Sequence, residues 1–412
     1  MATAVGRPPG VWRSSAPVSE VGRSGTACCS TSCDQSAMGL ILGVIAILQG
    51  ILTLFDAIRT ARHMRSYRPG RASRDRRVIV FCPCKGIDEG FEKNVQSILS
   101  QDYGNYDVQF VVESKDDPAH SVLKAVGANV FVAGRASDCG QKVHNLAYAV
   151  AQRPDSEIYV FCDSDARFPH DWLSHLIAPL DSTNITTGYR WYVASRFHFP
   201  TLMRSAWNAS SISILGDHDR NFAWGGSTAL YRDTFHRLKI FEAWRGSISD
   251  DYAITRAAQR NKTKIVFVSE CLIPSYGECS FSELVEFTTR QVIITRVYHP
   301  GLWRLGFLGY AMFNAAFWTL PFFHPWLWLV IYGLSLARSW IRQSALKTAL
   351  PHQALSAKGW FYILFSPLVA LLYLYNMIAS ALGTEIVWRQ IHYRLVSPNE
   401  TRVFGGSAAS EN

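Results

Sequence analysis

Cys162-Asp163-Ser164-Asp165-Ala166 sets two carboxylates two positions apart, directly after the apolar run Ile158-Tyr159-Val160-Phe161. At the end of a buried strand such a pair can hold a hard divalent cation and leave coordination sites open for phosphate oxygens. Acidic turn residues are common, so it is the position after a strand in an alternating α/β pattern that favours metal here. A second acidic pair stands in Ser249-Asp250-Asp251-Tyr252, ahead of the helix-like stretch AITRAAQR. Two uses are open to it. Carboxylates in the first turn cap a helix and favour its dipole; a carboxylate there can also act as general base on an attacking hydroxyl.

The elements that position these groups show in the hydrophobic pattern. Short apolar runs at 78–82, 108–112, 128–133, 158–163 and 264–268 are separated by stretches of helical composition. This alternation predicts an α/β domain over 78–279 with a mostly parallel sheet, whose strands are buried on both faces and so lack polar alternation. Ligands then belong at the carboxyl ends of the strands.

Around this domain the pattern changes to that of a membrane protein. Residues 38–58 are apolar for the length of a bilayer-crossing helix. A basic linker, 59–77, follows with eight Arg against one Asp, which accounts for +7 of the net +9. The positive-inside rule places that side, and the domain after it, in the cytosol. Residues 280–300 have the spacing of an amphipathic interfacial helix, 301–388 hold about three further spans, 389–412 read as a polar tail, and 1–37 as a disordered leader.

Composition excludes several classes. With 48% hydrophobic and 18% charged residues the chain is neither disordered nor typical of a freely soluble enzyme. Because the positive charge is concentrated beside an apolar segment, anionic lipid explains it without nucleic acid. Nine cysteines, an odd number without paired CxxC units, give no zinc signature and favour a reducing compartment.

Taken in order, CysProCysLysGly at 82–86, Gln101-Asp102-Tyr103, ValGluSerLysAspAspPro at 112–118, GlnLysValHisAsnLeu at 141–146, the Asp163/Asp165 pair, ThrGlyTyrArgTrpTyr at 187–192, TrpGlyGlySer at 224–227 and SerAspAspTyr at 249–252 form a series. It resembles the membrane-bound, inverting glycosyltransferases of the ceramide glucosyltransferase type.

That resemblance implies a Rossmann-like GT-A domain on the cytosolic face, with flanking transmembrane helices, using a nucleotide sugar, usually UDP-glucose. It implies that Pro83, Lys85, Glu113, Ser114 and Lys142 line the nucleotide sugar, and that Asp163 and Asp165 bind the sugar phosphate through Mg²⁺ or Mn²⁺. Asp251 becomes the base with Asp250 beside it, and Trp224, Gly225, Gly226 and Ser227 lie near the acceptor. Arg190 is either part of the site or a structural ion-pair partner. The sequence departs from the family at the interfacial helix, where an Arg-Trp pair is missing and Arg290-Gln291-Val292-Ile293-Ile294 stands instead; Arg290 or Arg296 is then expected to hold the diphosphate. A diphosphate neutralised by metal needs no carboxylic acid to help it leave.

The expected activity is transfer of a hexose, glucose from UDP-glucose, with inversion onto a membrane lipid hydroxyl such as that of ceramide, forming glucosylceramide. A hopanoid, sterol or diacylglycerol acceptor is an alternative. A processive polysaccharide synthase would need more spans and an intact Arg-Trp element. A catalytically silent scaffold would need no carboxylates aimed at a diphosphate.

Overall fold

The computed structural model describes residues 26–67, 70, 75–349 and 355–404. Its elements, in chain order, begin with a long helix α1 (Thr26–Ser66). An α/β body follows: β1 (Val78–Pro83), α2 (Phe91–Leu99), β2 (Tyr106–Val112), α3 (Pro118–Ala125), β3 (Val130–Val132), α4 (Gln141–Gln152), β4 (Ile158–Cys162), α5 (Trp172–Ile177), β5 (Asn184–Tyr192), α6 (Phe199–Ile212), β6 (Ser227–Tyr231), α7 (Arg232–Arg237), α8 (Ile240–Trp244), α9 (Asp250–Arg260) and β7 (Lys264–Ser275). Helices α10 (Phe281–Tyr298), α11 (Pro300–Phe323), α12 (Pro325–Ala349), α13 (Leu355–Leu364) and α14 (Ser366–Leu382) come next, then β8 (Glu385–Trp388), β9 (Ile391–Ser397) and β10 (Glu400–Phe404).

The main sheet has the order β3-β2-β1-β4-β6-β5-β7, and β6 runs antiparallel to both of its neighbours while the other pairings are parallel. This mostly parallel sheet is the α/β arrangement that the hydrophobic pattern predicts. The apolar runs explain it: along β1, Val78, Val80 and Cys82 face one core layer and Ile79 and Phe81 the other, and β4 divides its residues in the same way. A strand covered on both faces has no reason to alternate with polar residues. The six described cysteines from Cys82 to Cys279 are buried and unpaired, as small hydrophobes in a reduced core.

Helix starts follow local chemistry. Asp117 caps α3 by accepting the Ala119 N–H, with Pro118 in the first turn. Ser280 and Glu283 form a reciprocal capping box at α10. The α10 helix lies against α6, α11, α14 and β9, so much of the face expected at a membrane surface is covered by protein.

The boundaries outside the α/β body differ from the sequence expectation. Helix starts at Thr26, inside the expected leader, and continues through Ser66, because nothing between Ile58 and Ser66 breaks it; Arg59, Arg62 and Arg65 are therefore helical and not linker. Residues 1–25 lie outside the described residues. The stretch 389–412, read as a polar tail, contributes to an antiparallel β8-β9-β10 meander; residues 405–412 lie outside the described residues. Its inner face, Ile391, Tyr393 and Leu395, joins Ile248, Ile293 and Tyr298 in one apolar cluster, and Thr401 Oγ1 donates to Gly246 O at 2.7 Å. Among the described residues one helical segment, Ala37–Ser66, is long and apolar enough to cross a membrane, and a second is counted if α13 and α14, bent by 61°, act as one span. The run Trp326–Trp340 lies in α12, which continues to Ala349.

Candidate active site

The carboxyl end of β4 delivers Asp163 and Asp165 to a compact set of charges. Lys142, in the first turn of α4, places Nζ 2.8 Å from Asp163 Oδ1 and 3.0 Å from Asp250 Oδ1. Arg190, near the end of β5, donates from Nη1 and Nη2 to the two oxygens of Asp165 at 2.9 and 2.7 Å, and from Nη2 to Asp163 Oδ2 at 2.8 Å. Its Nη1 also reaches the Tyr192 hydroxyl at 2.8 Å, and the guanidinium lies over the Trp224 ring. Arg190 is thus a bidentate clamp across the acidic pair, the stronger class of charge-assisted contact.

The second acidic pair begins α9. Ser249 is the N-cap, its Oγ accepting the Tyr252 N–H. Asp251 Oδ1 accepts from the Ser249 hydroxyl and, at 2.7 Å, from Tyr252 N–H, while Oδ2 accepts the Gly225 N–H at 3.2 Å. The capping and catalytic uses of these carboxylates are therefore compatible. Asp250 is 2% exposed, and among the described residues its Oδ2 has no hydrogen-bond partner.

These environments set the charges. Burial opposes ionisation of Asp163, but Lys142 and Arg190 outweigh it and hold the carboxyl below the usual range. Burial, with Asp163 and Asp88 nearby, pushes Asp165 up against the pull of Arg190. Burial, with Asp251 and Asp163, pushes Asp250 up to about 6 despite Lys142. A carboxyl raised on folding stabilises the protein fully below its unfolded value, and that contribution is lost as pH rises through about 6. Asp250→Asn cannot ionise, so wild type should gain in melting temperature relative to this variant as pH falls from 7 to about 4.5. A constant difference across that window would remove the assignment.

Trp224-Gly225-Gly226-Ser227 connects the two pairs. A Cβ on Gly225 would stand 2.2 Å from Asp250 Oδ2 and 2.7 Å from Lys142 Nζ, and one on Gly226 would enter the Trp224 ring. Gly225→Ala should therefore part Lys142 from Asp250 and lower the melting temperature, at a cost of about 1–3 kcal/mol as for overpacking. Retained stability, read by thermal unfolding, would show that the loop yields instead.

The expected residues do not all gather here. Pro83, Lys85, Asp88, Lys142, Asp163, Asp165, Arg190, Trp224, Asp250, Asp251 and Arg290 line one cavity of about 1620 Å³. Glu113 and Ser114 do not line it. Glu113 is held by Lys85 and by Arg135 at 3.2 Å, and Ser114 Oγ accepts the Asp116 N–H in the turn beyond β2. Ser227 turns into the core, where its Oγ accepts from Trp172 Nε1 at 2.8 Å. Arg296 fastens α10 to the end of α14 by donating to Gly383 O at 3.1 Å. Arg290 lies over the Trp388 ring and donates to Val387 O at 3.1 Å.

The C-terminal hairpin is the part of the site that the sequence reading missed. Arg389 and Gln390 form the two-residue turn between paired Trp388 and Ile391, with φ of +52° and +65°. Such turns favour Asn-Gly, so two long side chains there mark a locally unfavourable backbone at the rim of the cavity. Arg389 pairs with Asp88 at 2.6 Å, and Tyr393 OH accepts the Gln141 N–H at 3.3 Å. Trp388 and Arg389 thus stand, in space, beside the helix that lacks its expected Arg-Trp pair. Alternating burial along Ile391–Ser397 was the available signal.

The donor set suits a hard divalent cation that takes further oxygens from a ligand. Among the described residues no group of three or more Asp, Glu, His or Cys could hold an ion alone, and two carboxylates with substrate phosphates and water are a usual set for Mg²⁺.

The chain is similar to two solved structures and to one protein family. The mannosyltransferase PcManGT from Pyrobaculum calidifontis, solved with GDP-Man and Mn²⁺, is similar at 18% identity, covering 84% of this chain and 97% of that one with a TM-score of 0.46. Glucosyl-3-phosphoglycerate synthase from Mycobacterium tuberculosis, solved with Mn²⁺, UDP and phosphoglyceric acid, is similar at 16% identity, covering 57% and 84% with a TM-score of 0.39. The sequence profile of glycosyl transferase family 21 matches residues 39–401, which takes in α1 from Gly39 onward, both acidic pairs and the C-terminal hairpin. The chain is therefore a glycosyltransferase and belongs to glycosyl transferase family 21.

Proposed function

We propose that this glycosyltransferase is anchored in the membrane, with its α/β domain on the cytosolic face, and transfers glucose from UDP-glucose with inversion to a lipid hydroxyl, forming glucosylceramide from ceramide. The observation that carries the reading is continuity: the cavity lined by Lys142, Asp163, Asp251 and Arg190 is also lined by Gln49, Thr53, Leu302, Leu305, Gly306 and Met377 from α1, α11 and α14. Residues on the outer surface of the same helices, Leu48, Leu52, Phe55 and Leu308, are exposed and apolar. An acceptor with its chain among such helices can bring a hydroxyl to the acidic cluster without leaving the bilayer.

Charge supports a nucleotide diphosphate brought in with Mg²⁺ or Mn²⁺. Four carboxylates, Asp163, Asp165, Asp250 and Asp251, face two cations, Lys142 and Arg190. A bare diphosphate would be repelled from a net-negative site, whereas an ion held by Asp163 and Asp165 supplies the missing positive charge for the leaving group. Lys142 and Arg190 then hold the carboxylates in place, Pro83 and Lys85 border the nucleotide, and Arg290 and Arg389 stand at the rim. Glu113 acts through Lys85. Asp251 takes the proton of the acceptor hydroxyl as its oxygen attacks the anomeric carbon. Asp250, buried behind it, anchors Lys142. Trp224 borders the acceptor, and the Gly225 and Gly226 turn beside it leaves room for Asp250, Lys142 and the Trp224 ring.

The test is a transfer assay on detergent-solubilised protein with radiolabelled UDP-glucose, offered ceramide, diacylglycerol, sterol or hopanoid, with and without Mn²⁺. Metal-dependent label in ceramide is the expected result. Label confined to a long water-soluble polymer would point to a polysaccharide synthase, and no incorporation into any of the acceptors would remove the UDP-glucose reading.

A further inference from the structure

On α12, five buried side-chain atoms within two turns have no hydrogen-bond partner among the described residues: Arg338 Nε, Ser339 Oγ, Arg342 Nε and both amide atoms of Gln343. Arg342 is 6% exposed, Gln343 3% and Ser339 0%. Among the described residues the ionisable side chains that bear on the two arginines are Tyr310, Tyr362 and Tyr373 and, for Arg342, Arg338 itself, with no carboxylate among them. Buried charges in proteins are paired, because an ion taken from water without a counter-charge is costly. Here two like charges sit on consecutive turns, where they also repel. The donor-site carboxylates do not meet this need, since neither guanidinium has Asp163, Asp165, Asp250 or Asp251 beside it.

Two guanidiniums with a hydroxyl and an amide suit a ligand with several anionic oxygens, which the planar fork of arginine matches. Arg338 lines the large cavity together with Gln49, Thr53 and Tyr310, and Leu52, Phe55, Leu302 and Leu305 on the neighbouring helices are exposed and apolar. We propose that Arg338 and Arg342 bind the phosphate of an anionic phospholipid whose acyl chains lie along α1 and α11. This rests on the reading that α1 is in the membrane and is independent of which sugar is transferred. The lipid is a bound companion of the helices and takes no part in the chemistry.

The experiment uses the full chain in detergent after delipidation, with three probes: micelles containing dioleoylphosphatidylglycerol, micelles containing dioleoylglycerol, and inorganic phosphate. Phosphatidylglycerol should raise the melting temperature by several degrees, as selective binding to the folded state requires, and native mass spectrometry should find it retained. Dioleoylglycerol and millimolar phosphate should do neither. The double variant Arg338→Gln, Arg342→Gln should lose the shift and the retained lipid, yet melt no lower than wild type without lipid, because the unpaired charges are gone. Arg338→Lys, which keeps the charge and loses the fork, should show a reduced shift even if the double variant fails to fold. An undiminished phosphatidylglycerol shift in these variants would overturn the proposal. So would an equal shift from dioleoylglycerol, and one from phosphate alone would assign the site to a free anion. UDP titration on the same preparations reports the donor site separately, so loss of the transferase reading and loss of the lipid site remain distinguishable.

Discussion

Asp251→Asn should lower the rate of sugar transfer by about a hundredfold or more while leaving UDP affinity within about twofold. The amide fills the same volume, and its oxygen can still accept from Ser249 or Tyr252. It cannot also accept the Gly225 N–H that now bonds Oδ2. A lost hydrogen bond to a charged carboxylate is worth about 1.5–3 kcal/mol and a hundredfold loss of rate corresponds to about 2.7 kcal/mol; the sizes overlap, so the two causes are separated by measuring melting temperature and turnover on the same variant. Near-normal turnover would show that Asp251 is a helix cap and no more. Asp250→Asn should behave differently, weakening UDP binding through Lys142, since Asp250 is buried and bonded to that lysine.

Asp165→Ala should weaken Mn²⁺-dependent binding of UDP by at least about tenfold, measured by calorimetry with and without the ion. The tenfold floor is taken from the loss that even groups one step removed from a metal produce. Asp165 accepts both Nη groups of Arg190, so its loss also frees the clamp and leaves Arg190 with Asp163 and Tyr192. That second effect acts with or without the ion. Weakening that is equal in both conditions would assign Asp165 to holding Arg190 alone, and unchanged affinity would remove it from the donor site.

The parts of the fold legible in the sequence were those driven by continuous burial. Each of the runs at 78–82, 108–112, 128–133, 158–163 and 264–268 holds a strand of the main sheet, although the third is a strand only over Val130–Val132, where it is half-buried, and the fourth only as far as Cys162; β1 and β4, covered on both faces, are apolar throughout. β5, Asn184–Tyr192, is equally buried yet carries Asn, two Thr, Gly and Arg. Some of its polar groups find partners far away in the chain, as with Thr187 Oγ1 accepting the Trp224 N–H, while among the described residues Thr186 Oγ1, Arg190 Nε and Trp191 Nε1 have none. This is why the sequence leaves Arg190 open between ion-pair partner and site residue; in the fold it makes the ion pairs and also lines the cavity. The acidic pairs were legible because strand end and helix start are local features. The C-terminal hairpin was not, since its docking depends on contacts of Arg389 with Asp88 and Tyr393 with Gln141, more than two hundred residues apart.

The configuration of the product tests the central claim most directly. UDP-glucose is α at its anomeric carbon, and a single in-line attack by a hydroxyl activated by Asp251 must give a β-linked glycolipid. Proton NMR of the lipid product from purified protein, UDP-glucose, ceramide and Mn²⁺ reads the anomeric coupling. A β-glucoside is the expected result; an α-glucoside would contradict one-step displacement and the role given to Asp251.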